Sequence, residues 1–253
     1  MTNLLGCQLH LASRDQSLGA IEAAVNKTGP PVQLATVNAE FLTGAKHNPA
    51  FKLALEQMTH CSIDGSGPWF YLKLFYPKLA AQLDRYPGAS LVQELFERYQ
   101  SQPVRFYLVG GNPKHTSQIR ATLKQRYPQL QLVGFEYGGQ INAKGTPEDT
   151  QLADRIEAAK PDILLVGFGA PKQELFIHQL ALPLPVMIGV GGSFDFFGQK
   201  PRAPKLWQSI GLEWAYRALH EPGHLIRAIK AVSQFLWLII QYHLTRPPRH
   251  LES

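Results

Sequence analysis

The 253-residue sequence has few cysteines and no long apolar run. Its two cysteines, Cys7 and Cys61, are too few for a disulfide-built domain or a multi-thiolate metal site, and they suit a reducing compartment. No apolar run approaches the roughly 20 residues that a membrane-spanning helix needs. The first residues, MTNLLGCQLHL, lack the basic start and long apolar stretch of a signal peptide. We therefore expect a cytoplasmic protein.

Acidic residues are scarce in the last fifth of the chain. From residue 200 onward eight Lys and Arg stand against three acids, so this part carries five of the six net positive charges. An anionic partner is expected to meet the protein there. The whole chain is 45% apolar, which is enough for a full hydrophobic core and too much for a disordered polyelectrolyte. The basic residues are Lys200, Arg202, Lys205, Arg217, Arg227, Lys230, Arg246 and Arg249.

Short apolar runs that end in glycine or small polar residues recur along the chain. Helix-length stretches separate them, and this alternation predicts an α/β fold with a Rossmann-like, mostly parallel sheet flanked by helices. The runs are VQLATVN (32–38), CSIDGSG (61–67), VRFYLVGGN (104–112), DILLVGFGAPKQE (162–174) and PVMIGVGGSFDF (185–196). The helical stretches are 15–27, 48–58, 89–100, 114–127 and 148–159.

The ends of these strands carry the candidate binding residues. In an open α/β sheet, ligands bind outside the carboxyl ends of the strands, where glycine backbone and helix N-termini suit a phosphate group. A glycine after a strand is also used simply to turn the chain, but five such ends together favour a ligand edge. The candidates are Thr36, Asn38, Asp64, Gly65, Gly110, Gly111, Gly169, Lys172, Gln173, Glu174, Gly191, Gly192 and Asp195.

Asp64 is the candidate general base. It follows an apolar run and precedes Gly65, so its carboxylate is expected to face the cleft and accept a proton from an attacking hydroxyl. A turn or helix-capping aspartate is an equally good interpretation of this pattern. No Asp-x-Asp pair is present to hold a diphosphate through a divalent cation. We therefore expect no metal and no cofactor. If a diphosphate leaves here, protein cations and helix ends must meet its charge, and Lys172, Arg202 and Arg217 are the candidates, although each taken alone is more typical of a solvated surface charge.

The chain is expected to divide into an α/β domain, residues 1–200, and a basic helical appendage, residues 201–253. Helical stretches are predicted at 205–219 and 223–244. In the second, six consecutive apolar residues from Phe235 lie near Arg227 and Lys230, a pattern typical of a helix lying on an anionic membrane surface. A core helix, or a homo-oligomer paired through the same face, is the alternative. No aromatic stacking platform for nucleic acid is evident.

Two other classes of protein match part of this pattern. A nicotinamide-dependent oxidoreductase shares the parallel sheet, but neither G-x-G-x-x-G nor the phosphate loop G-x-x-x-x-G-K-[ST] occurs. A non-catalytic basic adaptor explains the C-terminal charge but not the polar strand ends.

Several longer blocks resemble one family. The sequence is similar to the WecG/TagA/CpsF family of bacterial glycosyltransferases (glycosyltransferase family 26), from about residue 4 to 222. The blocks are TVNAEF (36–41), IDGSG (63–67), FYLVGGNP (106–113), KPDILLVGFGAPKQE (160–174), IGVGGSFDFFGQKPRAPK (188–205) and GLEWAYRALHEP (211–222).

The resemblance implies a chemistry. It implies inverting, metal-independent transfer of a sugar from a UDP-sugar to a polyprenyl-diphosphate-linked acceptor sugar, in the synthesis of a cell-surface polysaccharide or wall polymer. The enzyme is expected to lie peripherally at the inner face of the plasma membrane. The donor sugar implied is N-acetylmannosamine, its uronic acid or glucose.

The resemblance also assigns roles to residues. The family's catalytic base falls on Asp64, its T-x-N-x-E block on Thr36, Asn38 and Glu40, and a site glutamine on Gln173. Appendage arginines that reach toward the diphosphates and the membrane fall on Arg202, Arg217 and Arg227.

The sequence departs from the family pattern in three places, which bear on the choice of sugar. Ala39 replaces a common proline. Pro68, Trp69 and Phe70 follow the D-G-x-G block where aliphatic residues are usual. Ser90 replaces a frequent acid in the stretch Arg85-Tyr-Pro-Gly-Ala-Ser90.

Overall fold

The centre of the molecule is a six-stranded, all-parallel sheet. The computed structural model describes residues 1–198, 203–204, 206–207, 216 and 224–245. The sheet has the strand order β4-β3-β8-β7-β5-β6, and a separate antiparallel hairpin is formed by β1 and β2. The strands are β1 (Thr2–Leu4), β2 (Cys7–Leu9), β3 (Val32–Val37), β4 (His60–Ile63), β5 (Arg105–Gly110), β6 (Gln131–Glu136), β7 (Ile163–Gly167) and β8 (Val186–Gly189).

Helices cover both faces of this sheet. In chain order they are α1 (Arg14–Val25), α2 (Ala39–His47), α3 (Pro49–Glu56), α4 (Ser66–Phe75), α5 (Pro77–Ala80), α6 (Gly88–Tyr99), α7 (Thr116–Arg126), α8 (Leu152–Ala159), α9 (Lys172–Gln179) and α10 (His224–Thr245). Short 3-10 turns precede α7, at Pro113–His115, and follow β8, at Gly191–Phe197.

The strands lack apolar–polar alternation because both faces of the sheet are buried. In β8, Val186 and Ile188 belong to the core cluster on one face, and Met187 belongs to the cluster on the other. Leu108 and Val109 of β5 divide in the same way. Side chains alternate along a strand, so a strand covered by helices on both sides needs apolar residues at every position. The predicted α/β architecture is confirmed.

The sequence patterns missed several elements. Each predicted apolar run overlaps a strand, and the predicted helical stretches that fall on described residues match helices whose ends differ by at most four residues. The structure adds the β1–β2 hairpin, α2, α4, α5, α9 and β6. Strand β6 is at the edge of the sheet and is only partly buried, so its sequence QLVGFE lacks the continuous apolar run of the central strands. The predicted helical stretch 205–219 falls almost entirely outside the described residues.

The last described helix, α10, packs on the α/β domain through one face. Ala228, Phe235 and Leu238 are buried, and the last two belong to the same core cluster as residues of β3 and β4. The other face exposes large apolar side chains, which are taken up below. Among the described helices, none has both the length and the apolar character needed to cross a bilayer.

Candidate active site

Asp64 lies at the carboxyl edge of the sheet, directly after β4. Its backbone N–H donates to the carbonyl of Val37 at 2.9 Å, which ties it to the end of the neighbouring strand β3. Its carboxylate Oδ2 accepts from the backbone N–H of Gly88 at 3.3 Å, at the first residue of α6. The guanidinium of Arg85 donates to the backbone carbonyl of Asp64 at 3.4 Å. The half-buried carboxylate is thus oriented by the N-terminus of α6, a different helix from the one that Asp64 precedes.

Thr36 and Ser193 lie beside the same helix start. A Cβ at Gly88 would lie 3.2 Å from both Thr36 Oγ1 and Ser193 Oγ, so a side chain there would require these hydroxyl groups to move by a few tenths of an ångström. Thr36 is buried at the end of β3 and donates from Oγ1 to the carbonyl of Gly189 at 3.0 Å, which links β3 to β8. Asp64, Thr36 and Ser193 therefore surround one helix N-terminus.

Asn38 and Gly65 bring the next two loops together. Asn38 caps α2: its Oδ1 accepts from the N–H groups of Glu40 and Phe41 at 2.9 and 3.3 Å. A Cβ at Gly65 would lie 3.0 Å from the Cβ of Asn38. This contact explains why the residue after Asp64 is glycine, and it fixes the Asp64 loop against the start of α2.

Gly110 and Gly111 form the turn after β5 in the left-handed region, with φ of 110° and 81°. Gly111 donates its N–H to the carbonyl of Gly167 at 3.0 Å, and a Cβ on Gly110 would lie 2.5 Å from the carbonyl carbon of Gly167. The turn therefore presses directly on the end of β7. Backbone groups of two neighbouring strand ends meet here without side chains between them.

Gly110→Ala is expected to lower the free energy of unfolding by about 3 kcal/mol, because it adds backbone strain and a clash with backbone that cannot move aside. Gly19→Ala is the matched control. Gly19 lies inside α1 with open space at its Cβ position, so this change is expected to stabilise the protein by about 0.5–1 kcal/mol. Urea unfolding of the two variants measures both effects. Equal stability of the two proteins would contradict the strain argument.

Gln173 connects the loops after β7 and β8 from below. Its Oε1 accepts from the N–H of Gly169 at 3.1 Å and from the N–H of Gly191 at 2.9 Å. Its Nε2 donates to Oε1 of Glu174 at 2.6 Å, which sets the orientation of the amide. Both side chains are buried at the start of α9. They lie beneath the glycine loops, and the amide holds both loops in place.

Glu174 is a fully buried carboxyl group. Burial raises its pKa to about 8, and the hydrogen bond from Gln173 offsets only part of that rise. Within the described part of the chain, its Oε2 has no hydrogen-bond partner. The group is therefore mostly protonated at neutral pH, because an ionised carboxylate is poorly accommodated in an apolar interior.

The remaining predicted residues divide between the edge and the undescribed segment. Lys172 is the first residue of α9, while Gly192 and Asp195 lie in the 3-10 turn after β8. Gly192 is exposed and Asp195 half-buried. Arg202 and Arg217 lie outside the described residues, and Arg227 belongs to α10.

The arrangement of possible metal ligands is visible in the structure. Within residues 1–198 and 224–245 and the few described between them, no group of three or more His, Cys, Asp or Glu side chains is arranged to hold a metal ion. The letters H-E-x-x-H occur at 220–224, mostly outside the described residues. That zinc motif requires a continuous helix, and Pro222 and Gly223 are the residue types least suited to a helix interior. Metal independence stays a prediction.

Comparison with protein families decides the class. The family model described as glycosyl transferase WecG/TagA/CpsF family matches residues 2–249. The chain belongs to this family. It is accordingly a glycosyltransferase of cell-surface polysaccharide synthesis, which transfers a sugar from a donor to a lipid-linked acceptor. Membership in the WecG/TagA/CpsF family sets aside the oxidoreductase and adaptor hypotheses.

Two residues at the edge of this WecG/TagA/CpsF family member were not predicted as site residues. Gly88 binds the Asp64 carboxylate through its N–H, and Ser193 lies beside it. Gly88 had a signal, because it lies in the stretch Arg85–Ser90 that belongs to the family pattern noted in the sequence. Ser193 follows two glycines in the block after β8, but nothing local indicates that it faces α6, since that contact depends on the sheet order.

Proposed function

We propose that this protein catalyses the inverting, metal-independent transfer of a sugar from a UDP-sugar to a polyprenyl-diphosphate-linked acceptor sugar. Asp64 acts as the general base that removes the proton from the acceptor hydroxyl. The observation that carries the proposal is the position of the Asp64 carboxylate at the edge where the loops of the parallel strands converge, held by the N–H of Gly88. A base at such an edge is placed to reach an acceptor hydroxyl that attacks a donor bound over the strand ends.

The loops at this edge suit a diphosphate. Gly110, Gly111, Gly169 and Gly191 all have positive φ, so their backbone turns sharply and side chains do not cover it. In this proposal the loops approach the donor diphosphate, and Gln173 positions two of them through the N–H groups of Gly169 and Gly191. Glu174 acts one step further away, by orienting the Gln173 amide.

Cations of the protein take the place of a metal in this mechanism. Lys172 begins the helix that follows the Gly169 loop. We assign Arg202, Arg217 and Arg227 to the diphosphates of donor and acceptor and to the membrane surface. Charge-assisted hydrogen bonds from such groups stabilise the negative charge that grows on the departing UDP. The donor sugar is N-acetylmannosamine, its uronic acid or glucose, and the enzyme works at the inner face of the plasma membrane.

Transfer from UDP-N-acetylmannosamine, its uronic acid or UDP-glucose to a short-chain lipid-diphosphate N-acetylglucosamine acceptor is expected with one donor, measured as UDP release and as product mass. The rate is expected to be unchanged when EDTA is added, because protein cations and helix N-termini stabilise the leaving group.

Two controls make this test decisive. Omitting the acceptor separates transfer from hydrolysis of the donor. ADP- and GDP-linked sugars test the choice of nucleotide. Loss of the activity on EDTA treatment, with recovery on adding Mg²⁺, would overturn the metal-independent mechanism while leaving the donor class intact.

A further inference from the structure

Helices α4 and α10 pack side by side and run in the same direction. Near the start of α4, a Cβ at Gly67 would lie 3.2 Å from Phe235 of α10. Two turns later, the ring of Phe75 stacks on His243 with 4.6 Å between centroids. Between them, Tyr71 Oη lies 3.2 Å from Nε2 of His243. The contact line on α4 thus follows every fourth residue, and both contact lines advance together toward the C-termini.

Helical geometry places the exposed residues of the two helices on one side. Successive residues of a helix are rotated by about 100° around its axis. Phe70 and Leu74 lie about 60–100° from the α4 contact line, on the side toward which each preceding residue is rotated. Leu236 and Ile240 lie about 60–100° from the α10 contact line, on the side toward which each following residue is rotated. Because the helices are parallel and face each other, these opposite rotations bring both pairs to the same side of the helix pair.

The buried residues confirm this arrangement. On the opposite side of its contact line, α4 carries Pro68 and Leu72, and both are buried. On α10 the corresponding rotation presents Leu238, which is buried, and Tyr242, which hydrogen-bonds Asn3 at 2.8 Å. One side of the pair therefore packs on the domain, and the opposite side faces outward.

The outward side is apolar on both helices. Phe70 is 53% exposed and Leu74 is 74% exposed. Along α10 the same character continues over the length of the helix. Its exposed large apolar residues are Leu225, Ile226, Ile229, Val232, Leu236, Trp237, Ile240 and Leu244. We call the outward side of α4 and α10 the two-helix face.

The two stretches that form the two-helix face carry charge of a single sign. Neither Ser66–Ala80 nor His224–Thr245 contains an acidic residue. The two stretches hold Lys73, Lys78, Arg227 and Lys230 instead. Lys73 lies over the ring of Trp69, with Nζ 5.1 Å from the centroid. Exposed apolar side chains together with basic residues and no acids are complementary to the headgroup region of an anionic bilayer.

We propose that Phe70 and Leu74 of α4 insert into an anionic bilayer together with the outward side of α10, so that the site and the appendage bind the membrane as one surface. This rests on the proposed function, since a lipid-linked acceptor requires the enzyme at a bilayer. Phe70 lies about 6 Å along the axis from Ser66, and Ser66 follows the Asp64–Gly65 loop directly. The membrane thereby meets the protein within one or two turns of the catalytic carboxylate.

The test measures binding of the full chain to vesicles. The double variant Phe70→Ser/Leu74→Ser is expected to bind phosphatidylglycerol-containing vesicles at least tenfold more weakly than wild type, because two apolar side chains no longer enter the interface. Leu53→Ser is the matched control. Leu53 is a half-exposed apolar residue on α3, outside the two-helix face, and this variant is expected to bind as wild type does.

Further measurements separate the inference from its alternatives. The single variant Leu74→Ser is expected to transfer sugar to a water-soluble acceptor at the wild-type rate, because Leu74 is exposed and lies outside the proposed site. Absence of transfer in wild type would overturn the proposed function, whereas the vesicle result would stand by itself. Wild-type vesicle binding by the double variant would overturn the inference. So would a wild-type dimer in solution that the double variant dissociates, since a second copy would then be what covers this face.

Discussion

Asp64→Asn is expected to reduce kcat by about 10²–10⁴ while leaving the affinity for the UDP-sugar unchanged. The substitution keeps the shape of the side chain and an oxygen that can accept from the N–H of Gly88, so the loop is expected to hold its position. In the proposed mechanism it removes the group that takes the proton from the acceptor hydroxyl. The effect is therefore expected in turnover and not in donor binding.

Steady-state kinetics with saturating acceptor, and calorimetric titration of the donor in its absence, check the two halves of this expectation. Asp84→Asn is the control. Asp84 accepts through its carboxylate from the backbone N–H of Arg14, and this exposed hydrogen bond joins the Asp84 loop to the start of α1. Its amide variant is expected to keep full activity. Wild-type kcat in Asp64→Asn would mean that another group is the base.

Glu174→Gln is expected to remove a pH dependence of stability that wild type shows between about pH 4.3 and pH 8. Burial raises the carboxyl pKa to about 8 in the folded state, while the unfolded chain keeps about 4.3. The folded state therefore holds a proton that the unfolded state lacks throughout this window. The contribution of protonated Glu174 to the free energy of unfolding is fully present below pH 4.3. It is lost as the pH rises through 8, by about 1.4 kcal/mol per pH unit.

Urea unfolding of both proteins at pH 5, 6.5 and 8 provides the measurement. The stability of wild type relative to the variant is expected to fall steadily across the series. Other groups that titrate in this range, such as His60, whose pKa burial lowers, are present in both proteins and cancel in the difference. The variant keeps an amide oxygen for the N–H of Gln173. Parallel stability curves would show that Glu174 does not hold its proton in the folded state.

The sequence predicts the position of the site better than its internal contacts. Short apolar runs ending in glycine identify the central strands, because strands buried on both faces leave a continuous apolar signal. That pattern places Thr36 and Asp64 at one edge, as the structure confirms. It carries no information on the order of the strands, so the approach of Ser193 to the start of α6 was not predictable from local pattern.

Two residues illustrate what pattern alone leaves open. For Asp64, the sequence pattern supports a general base and a helix-capping residue equally. The structure shows its carboxylate on the N–H of Gly88, at a helix that begins 24 positions later in the chain. For α10, membrane helix and core helix were alternatives. The structure shows that Phe235 and Leu238 pack in the core while Leu236 and Ile240 are exposed, because a helix this long has room for both faces.

Gly67, the second glycine of the block Asp64-Gly-Ser-Gly67, receives the ring of Phe235 in the space where a side chain would be. The short segment that carries the proposed base therefore also contacts the C-terminal helix. Under the two proposals above, the residue that removes the acceptor's proton and the helix that binds the membrane are in contact through a single residue without a side chain, three positions from Asp64.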